Sequence, residues 1–494
     1  MRNVERSFSG ASRLDDNHDD DLDTMLLVNA VAPALLITIP HNPQAADSCL
    51  SKYYYGTHGQ QDVFITNDEL CVAEMPSHLT MDGSLGSISG DVQQLVWLQH
   101  EAVDPAIKPA TFVDEIDAFL SHLPAAAPTA SDNDQIVFGE RRSAPQLLHR
   151  TENAALISVD SATALTLDQH LPAFWKASPL PDSPVDFIPV PSKAIERVKD
   201  ILNNLKFDPV VAALVNNISV PQLRADVRYL TGESSSSEIV SRHSFSSGVL
   251  IAAEWLKTNF ENLGATCELK PYLSGFAPNV ICSFKGSEDT TETVLISAHY
   301  DSRGSFGSTR APGGDDDGSG TTALLGIART IARKGVQFKK NVQICAFSGE
   351  EQGLYGSRYY AQELRQKDAN LTLMVQADML AYHAPGEPAQ LGLPDRIGTP
   401  EVTQLVATLS AIYSPELKVG FTPACCSDHQ SFHGQGFPST QVFERAGPIA
   451  DPMYHNSGDL SDRENYDFEQ IKSIAKVQFA TLLHVAGFDL ASDE

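Results

Sequence analysis

Apolar runs recur in the second half of the chain, and polar residues follow them closely. Residues 294–298 (VLISA), 341–347 (NVQICAF) and 371–377 (LTLMVQA) predict buried strands. Amphipathic helices are predicted at residues 194–205, 248–260, 321–333 and 468–485. Strands that alternate with helices predict an α/β fold with a mostly parallel central sheet and helices on both faces.

The pattern changes near residue 190. Before it, short apolar runs alternate with loops rich in Ala, Pro, Ser and Asp, which predicts a β-rich region over residues 25–190. Residues 1–24 are polar and acidic and are predicted to be disordered. The proline-rich residues 179–192 lead into a second domain over residues 191–494. For the first region, an inhibitory pro-region, an accessory domain and a chaperone-like segment all remain open.

Length and charge narrow the function classes. A chain of 494 residues is too long for one ordinary core, so two or more domains are expected. A net charge of -28 argues against nucleic acid or an anionic membrane as partner. The sequence contains no run of 18 or more apolar residues, so no transmembrane helix is predicted. Residues 25–40 come nearest, but Asn29 and Pro33 interrupt them and acids precede them, so we predict a strand, with a trimmed secretory segment as the alternative.

Seven cysteines leave the cellular compartment open. Their odd number leaves at least one free thiol in a monomer. Cys267 and Cys282 flank a turn-rich segment between two strand-like runs, so they could face each other and form a disulfide. Sequons at Asn217 and Asn370 are compatible with secretion.

The strand ends carry candidate metal ligands. His299 ends the first strand and Asp301 follows two residues later, which places both side chains on one face of an extended chain. The carboxylate can then accept one imidazole N–H and leave the other nitrogen free for a metal. Glu350 and Glu351 directly follow the second strand, so one can bind metal while the other handles a proton.

Two further acids and a histidine complete the set. Asp315, Asp316 and Asp317 repel one another unless a cation is near, and we assign Asp316 as a bridge between two cations. Asp378 follows the third strand among apolar neighbours and needs a partner, whereas His455 lies in a polar loop. Two histidines with three carboxylates indicate a dinuclear site. Mixed nitrogen and oxygen ligands suit zinc best, with cobalt or manganese possible.

These motifs, in this order, resemble those of the zinc peptidase family that includes bacterial and fungal leucyl-type aminopeptidases, and more distantly glutamate carboxypeptidases and glutaminyl cyclases. The resemblance covers about residues 195–487 and implies a zinc-exopeptidase-like catalytic domain with two zinc ions per chain. It implies that His299 and Asp378 bind one zinc, that Glu351 and His455 bind the other, and that Asp316 binds both. It also implies that Glu350 is the general base for a metal-bridged hydroxide and that Asp301 orients His299.

The same resemblance implies hydrolysis of the N-terminal peptide bond of peptides or proteins by a secreted monomer. The implied side-chain pocket is apolar and favours apolar first residues; its lining is Met379, Cys426, Phe443 and Tyr454. One departure is that Thr422 stands where the bacterial aminopeptidase has the partner of the loop cysteine, so any disulfide at Cys426 must differ.

Two alternatives use the same fold. A carboxypeptidase or dipeptidase would need arginines for a terminal carboxylate, for which Arg310 and Arg445 are the candidates. A glutaminyl cyclase would use a single zinc. A serine hydrolase and an H-E-x-x-H metalloprotease are disfavoured because neither G-x-S-x-G nor H-E-x-x-H occurs.

Overall fold

A computed structural model describes residues 34–74, 83–88, 92–108, 115–123, 144–305, 308 and 310–491. The predicted acidic start at residues 1–24 lies outside the described residues, as does the part of the predicted strand before Ala34. Within them, no helix is both long and apolar enough to cross a membrane.

The N-terminal part is built from antiparallel sheets. Its elements are β1 (Ala34–Pro40), β2 (Tyr54–His58), β3 (Gln61–Thr66), α1 (Glu69–Ala73), β4 (Ser84–Ile88), β5 (Gln94–His100), α2 (Glu115–His122), β6 (Gln146–Arg150), β7 (Ala154–Val159), α3 (Ser161–Leu165) and β8 (Trp175–Pro179). The strand orders are β2-β3-β1-β4 and β6-β7-β5-β8. Leu36, Val63, Trp97 and Leu156 pack in one core that joins the two sheets.

Helices and strands alternate in the rest of the chain. The elements are α4 (Ser192–Asn203), α5 (Pro209–Val215), α6 (Val220–Leu230), α7 (Ser247–Asn262), β9 (Thr266–Lys270), β10 (Asn279–Phe284), β11 (Thr293–His299), α8 (Gly318–Lys334), β12 (Val336–Phe338), β13 (Asn341–Phe347), α9 (Tyr355–Gln366), β14 (Leu371–Ala377), β15 (Gln390–Pro394), α10 (Pro400–Tyr413), β16 (Lys418–Thr422), α11 (His429–Gly434), β17 (Ser439–Val442), α12 (Phe468–Ala486) and β18 (Phe488–Leu490).

The central sheet has the order β17-β14-β11-β13-β10-β9. Strands β17, β14, β11 and β13 run parallel, and β10 and β9 add an antiparallel edge. Every residue of β14 is buried, as expected for a strand covered by helices on both faces. The predicted α/β fold is confirmed, and its sheet is mixed because of that edge.

Parallel pairing brings the predicted strand ends together. His299 at the end of β11 pairs with Phe347 at the end of β13, and Ser297 pairs with Gln376 near the end of β14. The carboxyl ends of parallel strands are where open α/β sheets place ligand sites. The side chains that follow these strands therefore lie at one rim of the sheet.

The cysteines form three disulfides. Cys267 and Cys282 lie opposite each other on β9 and β10 and are bonded, as the sequence pattern suggested. The other disulfides are Cys49–Cys71 and Cys425–Cys426, and Cys345 is free and buried. The disulfide at Cys426 therefore differs from the one in the bacterial aminopeptidase, as Thr422 predicted.

Candidate metal centre

The five predicted metal ligands lie in two overlapping groups at the rim of the central sheet. His299, Asp316 and Asp378 form one group, and Asp316, Glu351 and His455 form the other. Within each group the potential ligand atoms lie within 4.8 Å of one another, and every member is buried. Asp316 is the member that the two groups share.

Asp316 faces the two histidines with different oxygen atoms. Its Oδ1 lies 3.2 Å from Nε2 of His299, and its Oδ2 lies 3.2 Å from Nε2 of His455. Oδ1 of Asp378 lies 3.7 Å from the first imidazole nitrogen, and Oε2 of Glu351 lies 3.0 Å from the second. A carboxylate with one oxygen toward each group is placed to bridge two cations.

Four buried polar atoms at this centre lack a hydrogen-bond partner. Nε2 of His299, Nε2 of His455 and both carboxylate oxygens of Glu351 are buried and unpaired. Buried polar atoms without partners are costly, and native proteins rarely keep them unless an ion or ligand completes the site. Imidazole nitrogens and carboxylate oxygens are ligands that zinc accepts. The residues present therefore fit zinc.

Electrostatics support a cation at this position. Burial works against a charged imidazole at His299, but the nearby carboxylates of Asp301, Asp316 and Asp378 outweigh it and raise the pKa of this histidine well above its usual range. Burial works against the ionised form of Asp316 too, yet the nearby imidazoles of His299 and His455 lower its pKa. The site thus attracts positive charge, and a metal ion would take the place of the protons.

The neighbours of Asp316 turn away from the metal ligands. The carboxylate of Asp315 accepts the backbone N–H of Ala381 at 2.8 Å. The carboxylate of Asp317 caps α8 by accepting the N–H of Gly320 at 2.9 Å and also accepts the N–H of His299 at 3.1 Å. Two of the three adjacent acids therefore hold the surrounding backbone, which leaves Asp316 alone to face the site.

Asp301 lies behind His299. Nδ1 of His299 is 3.2 Å from the main-chain oxygen of Asp301 and 3.6 Å from its carboxylate, so the main-chain oxygen is the nearer acceptor. The carboxylate accepts a hydrogen bond from Oγ of Ser244 at 2.9 Å and the backbone N–H groups of Glu350 and Glu351 at 3.3 Å. Asp301 thus positions the loop that carries both glutamates.

Glu350 is buried beside the ligands and contacts a lysine from the N-terminal sheet. Its Oε1 lies 3.2 Å from Nζ of Lys176 on β8. Burial is the main reason why the pKa of Glu350 is raised well above its usual range, and the nearby charge of Lys176 opposes that shift. A buried carboxyl group with a raised pKa can accept and return a proton near neutral pH.

The predicted pocket residues also lie together. Met379, Phe443 and Tyr454 pack in one apolar cluster with Val103 and Phe174 of the N-terminal part. With Cys426 they line a cavity of ≈ 20 Å³ that reaches Asp316 and Asp378. A second cavity of ≈ 40 Å³ lies on the side of Glu350. Ligand pockets usually measure about 300–1,000 Å³, so the N-terminal sheet leaves little free space at the centre.

Sequence patterns missed three charged residues at this centre, namely the buried Glu101 and Arg303 and the half-buried Lys176. Glu101 directly follows the apolar strand β5, so the strand-end pattern that identified His299 could have found it. Arg303 donates to Nδ1 of His455 at 3.0 Å and to the main-chain oxygen of Trp175 at 2.7 Å. No local pattern marks Lys176, because its position depends on packing between the two parts of the chain.

Comparison with known proteins agrees with this geometry. Residues 279–481, which include all five candidate ligands, match the model of Peptidase family M28. This part of the chain therefore resembles peptidase family M28 in the region that holds the candidate metal centre. The expected zinc metallopeptidase is thereby confirmed at the level of the family.

Curated relatives carry corresponding names. The chain is 27% identical over 299 residues to a probable leucine aminopeptidase of Arthroderma otae, with 57% of this chain and 77% of that protein aligned. It is 30% identical over 191 residues to a probable zinc metalloprotease of Pyrenophora tritici-repentis, with 35% of this chain and 39% of that protein aligned. The alignments thus span between about two fifths and three quarters of these relatives.

Solved structures show the same fold. The LapA aminopeptidase of Legionella pneumophila superposes with a TM-score of 0.54 at 17% identity, and the match covers 80% of this chain and 99% of that one. Residues 191–494 alone cannot supply that share of the chain. The shared fold therefore extends into the N-terminal sheets.

Proposed function

We propose that this protein is a di-zinc aminopeptidase of peptidase family M28, which hydrolyses the N-terminal peptide bond of peptides or proteins. The observation that supports the proposal is the sharing of Asp316 between two ligand groups. One oxygen of this residue faces His299 and the other faces His455. The buried Glu350 lies beside both groups, where a general base is required.

The chain's residues divide the chemistry between them. Zinc ions at the two groups would lower the pKa of water and polarise a carbonyl. Glu350 would accept the proton of the attacking water and return it to the departing amine. Asp301 keeps Glu350 in place through the backbone N–H that it accepts. Burial of these groups excludes bulk water from the reaction.

The charges in the cavity favour recognition of an amino end. Arg445 is held by Glu387 and Asp104 at 2.5 and 3.0 Å, and Arg310 is exposed on a loop. Neither arginine is among the described residues that line the two cavities. Lys176 is a cation in the lining, but Glu350 neutralises it. An excess of carboxylates suits the α-ammonium group of a peptide better than a terminal carboxylate.

The apolar cluster supports a preference for apolar first residues. Met379, Phe443 and Tyr454 are buried together next to Asp378, and burial of an apolar substrate side chain against them would be favourable. The small cavity requires Lys176 or the covering strands to shift when such a side chain enters.

Zinc content and substrate choice test the proposal together. Purified protein would be assayed for zinc per chain and for hydrolysis of free and N-acetylated Leu-p-nitroanilide, with and without chelator. About two zinc ions and chelator-sensitive cleavage of the free substrate alone are expected. One zinc with cyclisation of N-terminal Gln would identify a cyclase. Cleavage of N-acetylated dipeptides at the carboxyl end would identify a carboxypeptidase, and either result would contradict the proposal.

We also propose an extracellular or secretory location. Support comes from the disulfides Cys49–Cys71 and Cys267–Cys282, because such bonds persist in oxidising compartments. A thiol titration of denatured, unreduced protein should find one thiol per chain, that of Cys345. More than one thiol in protein isolated from its native source would contradict the proposal.

A further inference from the structure

One face of the N-terminal sheet forms a wall of the catalytic cavity. Strands β5 and β8 are antiparallel, with Gln99 opposite Lys176 and Trp97 opposite Ser178. Residues directly opposite in such a pair share a face of the sheet, as do alternate residues along each strand. All four side chains line the cavity that contains Glu350. We call this face the β5–β8 wall.

Glu101 continues this wall into the metal centre. It follows β5 directly and lines both cavities, so its surroundings include Glu350 on one side and Asp378 on the other. Only 4% of its surface is exposed, and its Oε1 is buried without a hydrogen-bond partner. Burial raises the pKa of this carboxyl group to about 7, while the charges of Lys176 and His455 lower it. A buried carboxylate oxygen without a partner is costly unless a ligand completes it.

Lys176 shows where a cationic nitrogen fits. Its ammonium nitrogen lies 3.2 Å from Oε1 of Glu350 and 3.5 Å from the main-chain oxygen of Cys426. The charges of Glu101 and Asp378 also act on it and favour its protonated form. Without substrate, the ammonium group of Lys176 thus lies among the carboxylates of Glu101, Glu350 and Asp378, which would otherwise repel one another.

We infer that Glu101, carried into the cavity by the N-terminal sheet, is a specificity-determining residue that receives a cationic nitrogen of the substrate. This inference rests on the proposed aminopeptidase function. The nitrogen is either the α-ammonium group or a basic side chain of the first residue, since both present the same chemistry to a carboxylate. Lys176 neutralises these carboxylates until substrate enters, and its flexible side chain allows the ammonium group to withdraw.

The isosteric substitution Glu101→Gln tests the inference. It removes the negative charge but keeps the shape, and loss of a charge-assisted hydrogen bond should raise KM by about 10- to 100-fold at nearly constant kcat. The matched control is Glu152→Gln, at an exposed acid in the turn between β6 and β7. Zinc content of both variants should equal that of the wild type.

Two substrates show which substrate nitrogen Glu101 binds. An equal rise in KM for Leu-p-nitroanilide and Lys-p-nitroanilide assigns Glu101 to the α-ammonium group, and a rise for the lysine substrate alone assigns it to a basic side chain. Both outcomes support the inference. Unchanged KM for both substrates, or the same change in Glu152→Gln, overturns it.

Binding keeps this test separate from the proposed function. Calorimetric titration of leucinamide and lysinamide into the zinc-loaded full-length chain needs no turnover. If the wild type cleaves neither nitroanilide, the proposed function fails, but weaker binding of an amide by Glu101→Gln still supports the role of Glu101. Equal binding by the two proteins, or binding by neither, overturns that role.

Discussion

Asp459 holds the backbone of Asp316, with its Oδ2 accepting the N–H of that residue at 3.0 Å. The same carboxylate accepts the N–H of Asp315 at 3.0 Å, and Arg463 donates to its Oδ1 at 3.0 Å. The bridging candidate is therefore positioned by a residue that lies in the loop after His455. The loop thus contributes to both ligand groups, because it supplies His455 to one and positions Asp316, which the two groups share.

The substitution Asp459→Asn should weaken zinc binding. An amide has a single acceptor oxygen and cannot replace both carboxylate oxygens, so the Asp316 loop would lose part of its support. Residues behind metal ligands usually change metal affinity by about 10- to 100-fold. Competition with a chromogenic chelator measures this loss. Asp462→Asn is the matched control, because that side chain is 84% exposed. Equal zinc affinity in Asp459→Asn and the wild type would refute the positioning role.

The substitution Glu350→Gln should remove turnover but keep zinc. Proton transfer by a positioned side chain typically contributes about 10²- to 10⁴-fold, so kcat should fall by at least about a hundredfold. Metal analysis and steady-state kinetics on one preparation measure both quantities. Glu363→Gln serves as control, since this acid lies on α9 and pairs with Lys270 and Lys367. Retained turnover would show that another group accepts the proton.

The substitution His455→Ala should lower the zinc content from about two ions per chain to about one. This histidine belongs to one ligand group only, so the group of His299 and Asp378 remains intact. Inductively coupled plasma mass spectrometry after dialysis gives the number of zinc ions per chain. His484→Ala is the control, because that ring contacts Tyr413 in the helical layer. Two retained ions would exclude His455 from the site.

Sequence patterns located the candidate ligands because local rules govern strand ends. The predicted strands at residues 341–347 and 371–377 coincide with β13 and β14, and Glu350 and Asp378 follow them as expected. Parallel pairing of the strands is then enough to bring these ends to one rim of the sheet. The start of α8 was predicted three residues late, because Asp317 caps the helix at Gly318.

The rest of the site depends on contacts between distant segments. Lys176 and Glu350 are 174 positions apart, and no periodicity in either segment signals that they meet. Asp301 shows the same limit at short range. Its spacing from His299 predicted a carboxylate contact, but the chain turns after β11 and brings the main-chain oxygen closer. Local patterns identify which residues reach the rim, whereas packing decides what they touch there.

Acid should destabilise the N-terminal sheets through His58. This ring is buried, its Nε2–H donates to the main-chain oxygen of Tyr55 at 3.0 Å, and its Nδ1 accepts from Oγ of Ser178 at 2.8 Å. Burial, together with the charge of Arg358, lowers its pKa to about 3. Below the unfolded value of about 6.5 the unfolded chain therefore binds a proton that the folded chain does not.

The free energy of unfolding should consequently fall by about 1.4 kcal/mol per pH unit for this one group as pH drops from about 6.5 toward about 3. Urea unfolding of metal-free protein at several pH values measures the slope. In His58→Gln the slope should be smaller by one proton, since the variant has no imidazole to charge in the unfolded chain. His122→Gln, on the exposed end of α2, should keep the wild-type slope. Identical slopes for His58→Gln and the wild type would show that His58 is protonated in the folded protein as readily as in the unfolded chain.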